Sequence, residues 1–359
     1  MRRPITQRRP VGYDRTLLES YRPNETFYLN DADRRVRLRE IGRTLFAQHP
    51  GRTYARNVLN RLLIDLSWAS SRLEGNTYAR LDTLNLIEHS REAHGKDRLE
   101  TQMIINHKQA IEFLIEQTEE TGFDRFTFMN LHALLSENLL TDPAAGGRLR
   151  TRMVEIGATV YRPLAAPQQI EEFFRLILEK AGAIADPFEQ AFFQMVHIPY
   201  LQPFGDVNER VSRLAANIPF IKNNLCPLSF VGVPARAYVE GTLAVYEHAR
   251  VDLLRDAFTW AYERSCDQFK AVAGALAEPD PFRLKYRAEL AEVIAELVRS
   301  GAPIDPRAVR QLAAGMVPVD DMPRFAKMAL IELRNLHEGN IVRYRLRLAE
   351  FRAWKSKHA

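Results

Sequence analysis

Asp206, Asn208, Arg210 and Arg213 fall within twelve residues, Gln202-Pro-Phe-Gly-Asp-Val-Asn-Glu-Arg-Val-Ser-Arg213. The stretch before them, 187–201, reads as an apolar helix, and a second helix opens near Asn208 after a short loop. A loop leading into a helix N-terminus gathers unpaired backbone N–H groups and the positive end of the helix dipole at one spot, which makes an anion site. Arg210 and Arg213, three residues apart, share a helix face and reach one bound anion together. Asp206 stands just ahead of the helix and offers a carboxylate oxygen to a magnesium ion whose other ligands are phosphates. The same pattern also suits a plain helix start, with Asp206 and Asn208 as caps and the arginines on the surface.

Residues 202–213 resemble the Fic motif, His-Pro-Phe-x-(Asp/Glu)-Gly-Asn-Gly-Arg-x-x-Arg. The resemblance spans 55–230: Leu131-His132-x-x-Leu135, Gly147-Arg148-x-Arg150 and the strand-like run 152–161 look like the family's helix-and-flap region, and Pro167 opens the next helix. It implies an all-α, Fic-type helical fold with one small β-hairpin flap, a C-terminal helical region, and transfer of AMP from ATP to hydroxyl side chains of a target protein. On that resemblance Asp206 holds Mg and the backbone at 205–209, from Gly205 through Glu209, cradles phosphates. Asn208 and Arg210 hold the α-phosphate region, and Arg213 meets the γ-phosphate. The flap, with Val154, Ile156 and Tyr161, pairs with an extended segment of the target as an added strand; an ordinary hairpin covering the core has the same pattern.

The sequence departs from the motif in two places. Gln202 stands where the family has the histidine that takes the proton from the target hydroxyl, and an amide holds a hydroxyl without accepting its proton. His197 is the nearest substitute, but five residues turn a helix by about 500° and Pro199 intervenes, so a core histidine is the competing reading. Val207 and Glu209 occupy the two glycine positions, where a side chain takes space that backbone gives to phosphate. Glu209 repels phosphate if it faces the loop and is a favourable first-turn charge if it faces solvent.

Ser70-Ser-Arg-Leu-Glu74-Gly75-Asn76 resembles the family's inhibitory signature, (Ser/Thr)-x-x-x-Glu-(Gly/Asn). Ser70 and Glu74 share a helix face and Gly75 is suited to end the helix with positive φ. The resemblance implies that Glu74 pairs with Arg213 and denies it to the γ-phosphate, as in the subgroup with an N-terminal inhibitory helix. Glu338-Gly-Asn340 lacks the hydroxyl residue, since Arg334 stands four before the glutamate.

Around these segments the apolar periodicity is helical throughout, as at Val36, Leu38, Ile41, Leu45 and again Val58, Leu59, Leu62, Leu63, Leu66. The expected divisions are an extended N-terminal arm at 1–30, a helical region with the inhibitory signature at 31–95, a Fic core at 96–232 and a C-terminal helical region at 233–359, with a second break near Glu278-Pro-Asp-Pro281. With 50 Lys+Arg against 45 Asp+Glu in 359 residues, the excess is too thin to imply nucleic acid. Two cysteines, Cys226 and Cys266, make neither a disulfide framework nor a metal site. No apolar run is long enough to cross a membrane, so a cytoplasmic chain is expected.

Three functions remain in play. One is a Fic-family protein that binds ATP or another nucleotide with Mg under Glu74, its AMP transfer reduced or altered by Gln202. The second is an active transferase with another base or phosphate-containing donor. The third is a DNA-binding regulator acting through 282–359, where 306–340 holds two helix candidates. The expected partners are a target protein on the flap and a possible second copy of the chain.

Overall fold

The computed structural model describes residues 4–43, 64–275 and 280–358. Leu45, Val58, Leu59, Leu62 and Leu63, read above as helical, lie outside them. The chain divides into two compact units, 1–276 and 277–359.

In the first unit the helices are α1 (Thr16–Glu19), α2 (Ala32–Arg43), α3 (64–73), α4 (Arg80–His89), α5 (Arg98–Glu116), α6 (Arg125–Ser136), α7 (Pro167–Ala183), α8 (Pro187–Leu201), α9 (Asn208–Ala215), α10 (Ile218–Lys222), α11 (Ala235–His248) and α12 (Asp252–Ala275). α8 is the axis. Nearly every one of its side chains is buried, as a helix apolar on all sides requires, and α7, α9, α10 and α11 pack around it. Asp186 caps it through the amides of Phe188 and Glu189, and Gln202 ends it in the left-handed region at φ 52°. The helix that opens near Asn208 ends at Ala215, and a second short helix follows at Ile218–Lys222, because Pro219 has no N–H with which to continue α9's ladder. The helices at 235–275 belong to this unit.

The expected hairpin at 152–161 is not formed. Residues 153–160 run without strand, with a turn at 157–158 and Ala158 at φ 63°. The described sheet is a two-residue parallel pair, β1 (Val11–Gly12) with β2 (Tyr161–Arg162), Val11 opposite Tyr161. Of the alternating residues Val154 and Ile156 are half-buried and Ala158 is exposed, and the strand that follows them, Tyr161–Arg162, takes its partner from the N-terminus instead of from a hairpin neighbour.

That N-terminal segment is no loose arm. Leu18, Tyr21 and Leu29 are buried in the main core. Lys180 on α7 donates to the carbonyls of Leu18 at 2.7 Å and Tyr21 at 2.6 Å. The buried Glu189 of α8 accepts from Tyr21 OH at 3.0 Å and from the amides of Tyr28 and Leu29 at 2.7 and 2.8 Å. Burial pushes the Glu189 carboxyl up, against the pull of those hydrogen bonds.

The second unit has its own core, in which α14 (Arg287–Ser300) packs on α15 (Pro306–Leu312), α16 (Met322–Arg334) and α17 (Leu348–His358), preceded by one turn at α13 (Pro281–Lys285). α15 and α16 are joined by residues 313–321, longer than the three- or four-residue turn of a helix-turn-helix.

Glu189→Ala should leave three buried donors without an acceptor, each costing about 1–3 kcal/mol. Urea unfolding should show a loss of roughly 3 kcal/mol or more, and the amides of Tyr28 and Leu29 should lose their protection from hydrogen exchange.

Candidate functional site

The site is built where α8 hands over to α9. Val207 sits at the junction at φ 68° and ψ 5°, a conformation that glycine takes freely and a β-branched residue takes at a cost, so the position where the motif has glycine has the backbone that suits glycine. Asn208 closes the loop. Its Oδ1 accepts from Phe204 N at 2.9 Å, and its Nδ2 donates to Phe204 O at 3.0 Å and to Gln202 Oε1 at 2.8 Å. Asn208 is therefore spent inside the loop.

Arg150 ties the flap to the same loop. Its Nε donates to Gln202 O at 2.5 Å, its Nη1 and Nη2 donate to the carbonyls of Arg152 and Leu164, and its amide donates to Pro203 O. His132 stacks on Phe204, ring centroids 4.1 Å apart, and its Nδ1 accepts from Gly147 N at 2.9 Å. Burial lowers the His132 pKa to about 4, so the ring is neutral and positions the loop.

Arg213 is fully buried, and each of its three nitrogens is engaged. Nη2 donates to Glu74 Oε1 and to Ser70 O at 3.3 Å, Nε donates to Ser70 Oγ at 3.0 Å, and Nη1 donates to Tyr238 OH at 3.4 Å. Ser70 and Glu74 reach it from α3 and the turn that ends α3, where Gly75 takes φ +89°. Asn76 anchors that turn by donating to Glu100 O and accepting from Tyr78 N. Burial works against the Glu74 carboxylate, but Arg213 wins and holds its pKa below the ordinary value. The sequence reading missed His107 on α5. Its Nε2 lies 3.0 Å from Ser70 Oγ and its Nδ1 2.9 Å from Met103 O, and burial lowers its pKa to about 3. A neutral ring donating from Nδ1 to Met103 O accepts the Ser70 hydroxyl proton at Nε2, which leaves Ser70 Oγ free to accept from Arg213. A buried histidine on an amphipathic helix carries no local signal of this.

Glu209 faces neither open solvent nor an empty loop. Its Oε1 accepts from Tyr246 OH at 3.0 Å and its Oε2 lies 3.9 Å from Arg213 Nη1, the four-residue spacing of a helix ion pair. Burial and the nearby Glu74 charge raise its pKa, Arg213 and Tyr246 opposing. Tyr246 OH also accepts from Gln202 Nε2 at 3.2 Å, so Gln202, Tyr246, Glu209, Arg213 and Glu74 form one chain of contacts.

The other expected residues divide. Arg210 is buried, donates from Nη1 to Leu135 O at 3.3 Å and has no partner at Nε. Asp206 and Gly205 are exposed, and nothing lies within 4 Å of where a Gly205 Cβ would stand, so the space beside the loop is open. Asp206 Oδ1 accepts from Val207 N at 2.6 Å. No group of three or more metal-binding side chains occurs among the described residues, so a magnesium ion would rest on Asp206 and on phosphate oxygens. His197 does not join them. It is buried among Tyr28 and Phe193, 2.9 Å from Tyr28 OH, with its pKa lowered to about 3. Tyr161 is stacked between Tyr200 and Tyr246, and its main chain is already paired with Val11–Gly12. Val154 and Ile156 stay half-buried outside any strand.

Residues 122–219, which contain α6 through the start of α10, match the family model described as Fic/DOC family. The chain carries a Fic domain. Protein adenylyltransferase fic-1 of Caenorhabditis elegans is 26% identical over 179 residues, 48% of this chain and 34% of that protein. Protein adenylyltransferase Fic of Nematostella vectensis is 26% identical over 164 residues, 44% and 38%. The chain thus spans well under half the length of these curated relatives. Among solved structures, Fic-1 (residues 134–508) of C. elegans superposes with a TM-score of 0.55 at 19% identity, covering 67% of this chain and 71% of that one. A Fic family protein from Desulfovibrio desulfuricans G20 superposes with 0.57 at 16% identity, covering 87% and 92%. These likenesses give the Fic domain its all-α fold.

Because the folded-state pKa of Glu209 lies above its ordinary 4.5, its stabilising share is present below that value and is lost as pH rises through the raised one. Glu209→Gln keeps an acceptor for Tyr246 and removes the charge. It should therefore be more stable than the parent to urea at pH 7, with the gain vanishing below about pH 4.5.

Proposed function

We propose that the chain is a Fic-type protein of the adenylyltransferase kind, binding a nucleotide and Mg at residues 202–213 in a resting state held by Glu74. The buried pair of Arg213 with Glu74, braced by Ser70 and His107, carries this reading. Arg213 lies in the last turn of α9, beyond the loop and the amides that suit a phosphate, and a carboxylate from the end of α3 occupies the cation that an anion bound there would reach next.

Each residue then has a task. The amides at the start of α9 and the partnerless Nε of Arg210 meet phosphate oxygens. Asp206 would hold the metal, which neutralises phosphate charge and orients the transferred group. Arg150 and His132 fix the loop, so that the phosphate site is preorganised. Gln202 is the weak part. Its Nε2 donates to Pro199 O and Tyr246 OH and its Oε1 accepts from Asn208, so it holds the loop and offers no base. Transfer to a protein hydroxyl is consequently slow, by the factor of about 10²–10⁴ that general-base catalysis supplies.

Glu74→Gly should strengthen binding of ATP with Mg about tenfold or more in calorimetry, and combining it with Gln202→His should raise labelling of protein by radioactive ATP about 10²–10⁴-fold over Glu74→Gly alone. Equal affinity and equal labelling in all forms would remove the proposal.

A further inference from the structure

The anion cleft of α9 has two unlike ends. At Arg210 the guanidinium is buried, one nitrogen is without a hydrogen-bond partner, and the charges of Glu74 and Asp206 act on it. At Arg213 the guanidinium faces two carboxylates, Glu74 from the end of α3 and Glu209 from its own helix. Glu209 is held there by Tyr246, whose ring is stacked on Tyr161 and whose hydroxyl also receives Gln202. Removing Glu74 alone thus leaves Arg213 with an anionic neighbour that is fixed by its own hydrogen bond.

We infer that Glu209 is a second carboxylate gate on the Arg213 end, so that the resting site takes a nucleoside mono- or diphosphate reaching Arg210 and the α9 amides and turns away a triphosphate. This deepens the reading above and rests on it. The charge balance decides the ligand class. A phosphate chain that stops at Arg210 meets a cation with an unused N–H, whereas one that continues to Arg213 brings negative charge against Glu74 and Glu209 together. The raised pKa of Glu209 fits this crowding, since two carboxylates beside one guanidinium are one more than it neutralises. Glu209 is therefore a specificity residue, and relief of Glu74 opens the site only in part.

The test is calorimetric titration of the full chain with ADP and with ATP, each with Mg, for the parent, Glu74→Gly, Glu209→Gly and the double variant, with helical circular dichroism to establish folding. The parent should bind ADP at least tenfold more tightly than ATP. Glu74→Gly should retain part of that preference, and adding Glu209→Gly should tighten ATP at least tenfold further while moving ADP little. Glu209→Gln in the Glu74→Gly background separates charge from bulk: it should reproduce most of the ATP gain, because it keeps the side chain and loses only the charge. ATP bound equally by Glu74→Gly and the double variant, with ADP and ATP alike in the parent, would overturn the inference and leave the nucleotide site standing. Binding of neither nucleotide by any folded variant would overturn both.

Discussion

A guanidinium buried without a counter-ion is among the most costly arrangements a fold can contain, and Arg213, fully buried, would be one if its carboxylate partners were removed. α9 packs against α8 and α6, and its sixth residue, Arg213, lies over the ring of Tyr238, 5.4 Å from its centroid, instead of in water. The side chain is tolerable only because Glu74 meets it, Ser70 supplies two further oxygens, and Tyr238 lies against it. α3 is thereby fixed to α9 by charge as well as by apolar contact. His107 extends the dependence to α5, since its neutral ring decides which way the Ser70 hydroxyl points. Any ligand that competes for Arg213 acts on α3 and α5 at once.

The other side of the loop is held by the chain's own beginning. Residues 11–29 are pinned by Glu189 and Lys180, and Val11–Gly12 pair with Tyr161–Arg162 at the end of the flap. Arg8 reaches Glu247, which also accepts from Thr159. Tyr161 is stacked between Tyr200 and Tyr246, so that the end of α8, the flap and α11 carry one aromatic column whose last member, Tyr246, holds Glu209. The geometry of the second carboxylate thus depends on a strand pairing far from it along the chain.

Much of this was legible because the chemistry is local. The helix at 187–201, the loop that follows it and the opening of α9 near Asn208 follow from caps and periodicity, and the pairing of Glu74 with Arg213 is what the resemblance implies. What was missed is non-local or two-valued. The alternation at 154–158 looks the same whether the segment pairs as a hairpin or runs half-buried without a partner, and the strand that does form, Tyr161–Arg162, takes residues 11–12 as its partner. The polar, proline-bearing N-terminus resembles a solvated arm until Glu189 supplies acceptors for its amides. His107 has no motif. Glu209 is open in sequence between facing the loop and facing solvent, and the overlooked signal is its spacing of four to Arg213, which puts the two on one helix face. His197 is the nearest substitute base in sequence, with a core histidine as the competing reading, and its aromatic neighbours place it in the core.

The central claim is that Glu74 and Arg213 are energetically one unit. A double-mutant cycle measures this directly: urea unfolding of the parent, Glu74→Gln, Arg213→Gln and the double variant at pH 7. The account predicts a coupling of about 2 kcal/mol or more, since the second substitution should cost little once the first is made. Additive losses, with coupling under about 0.5 kcal/mol, would contradict it.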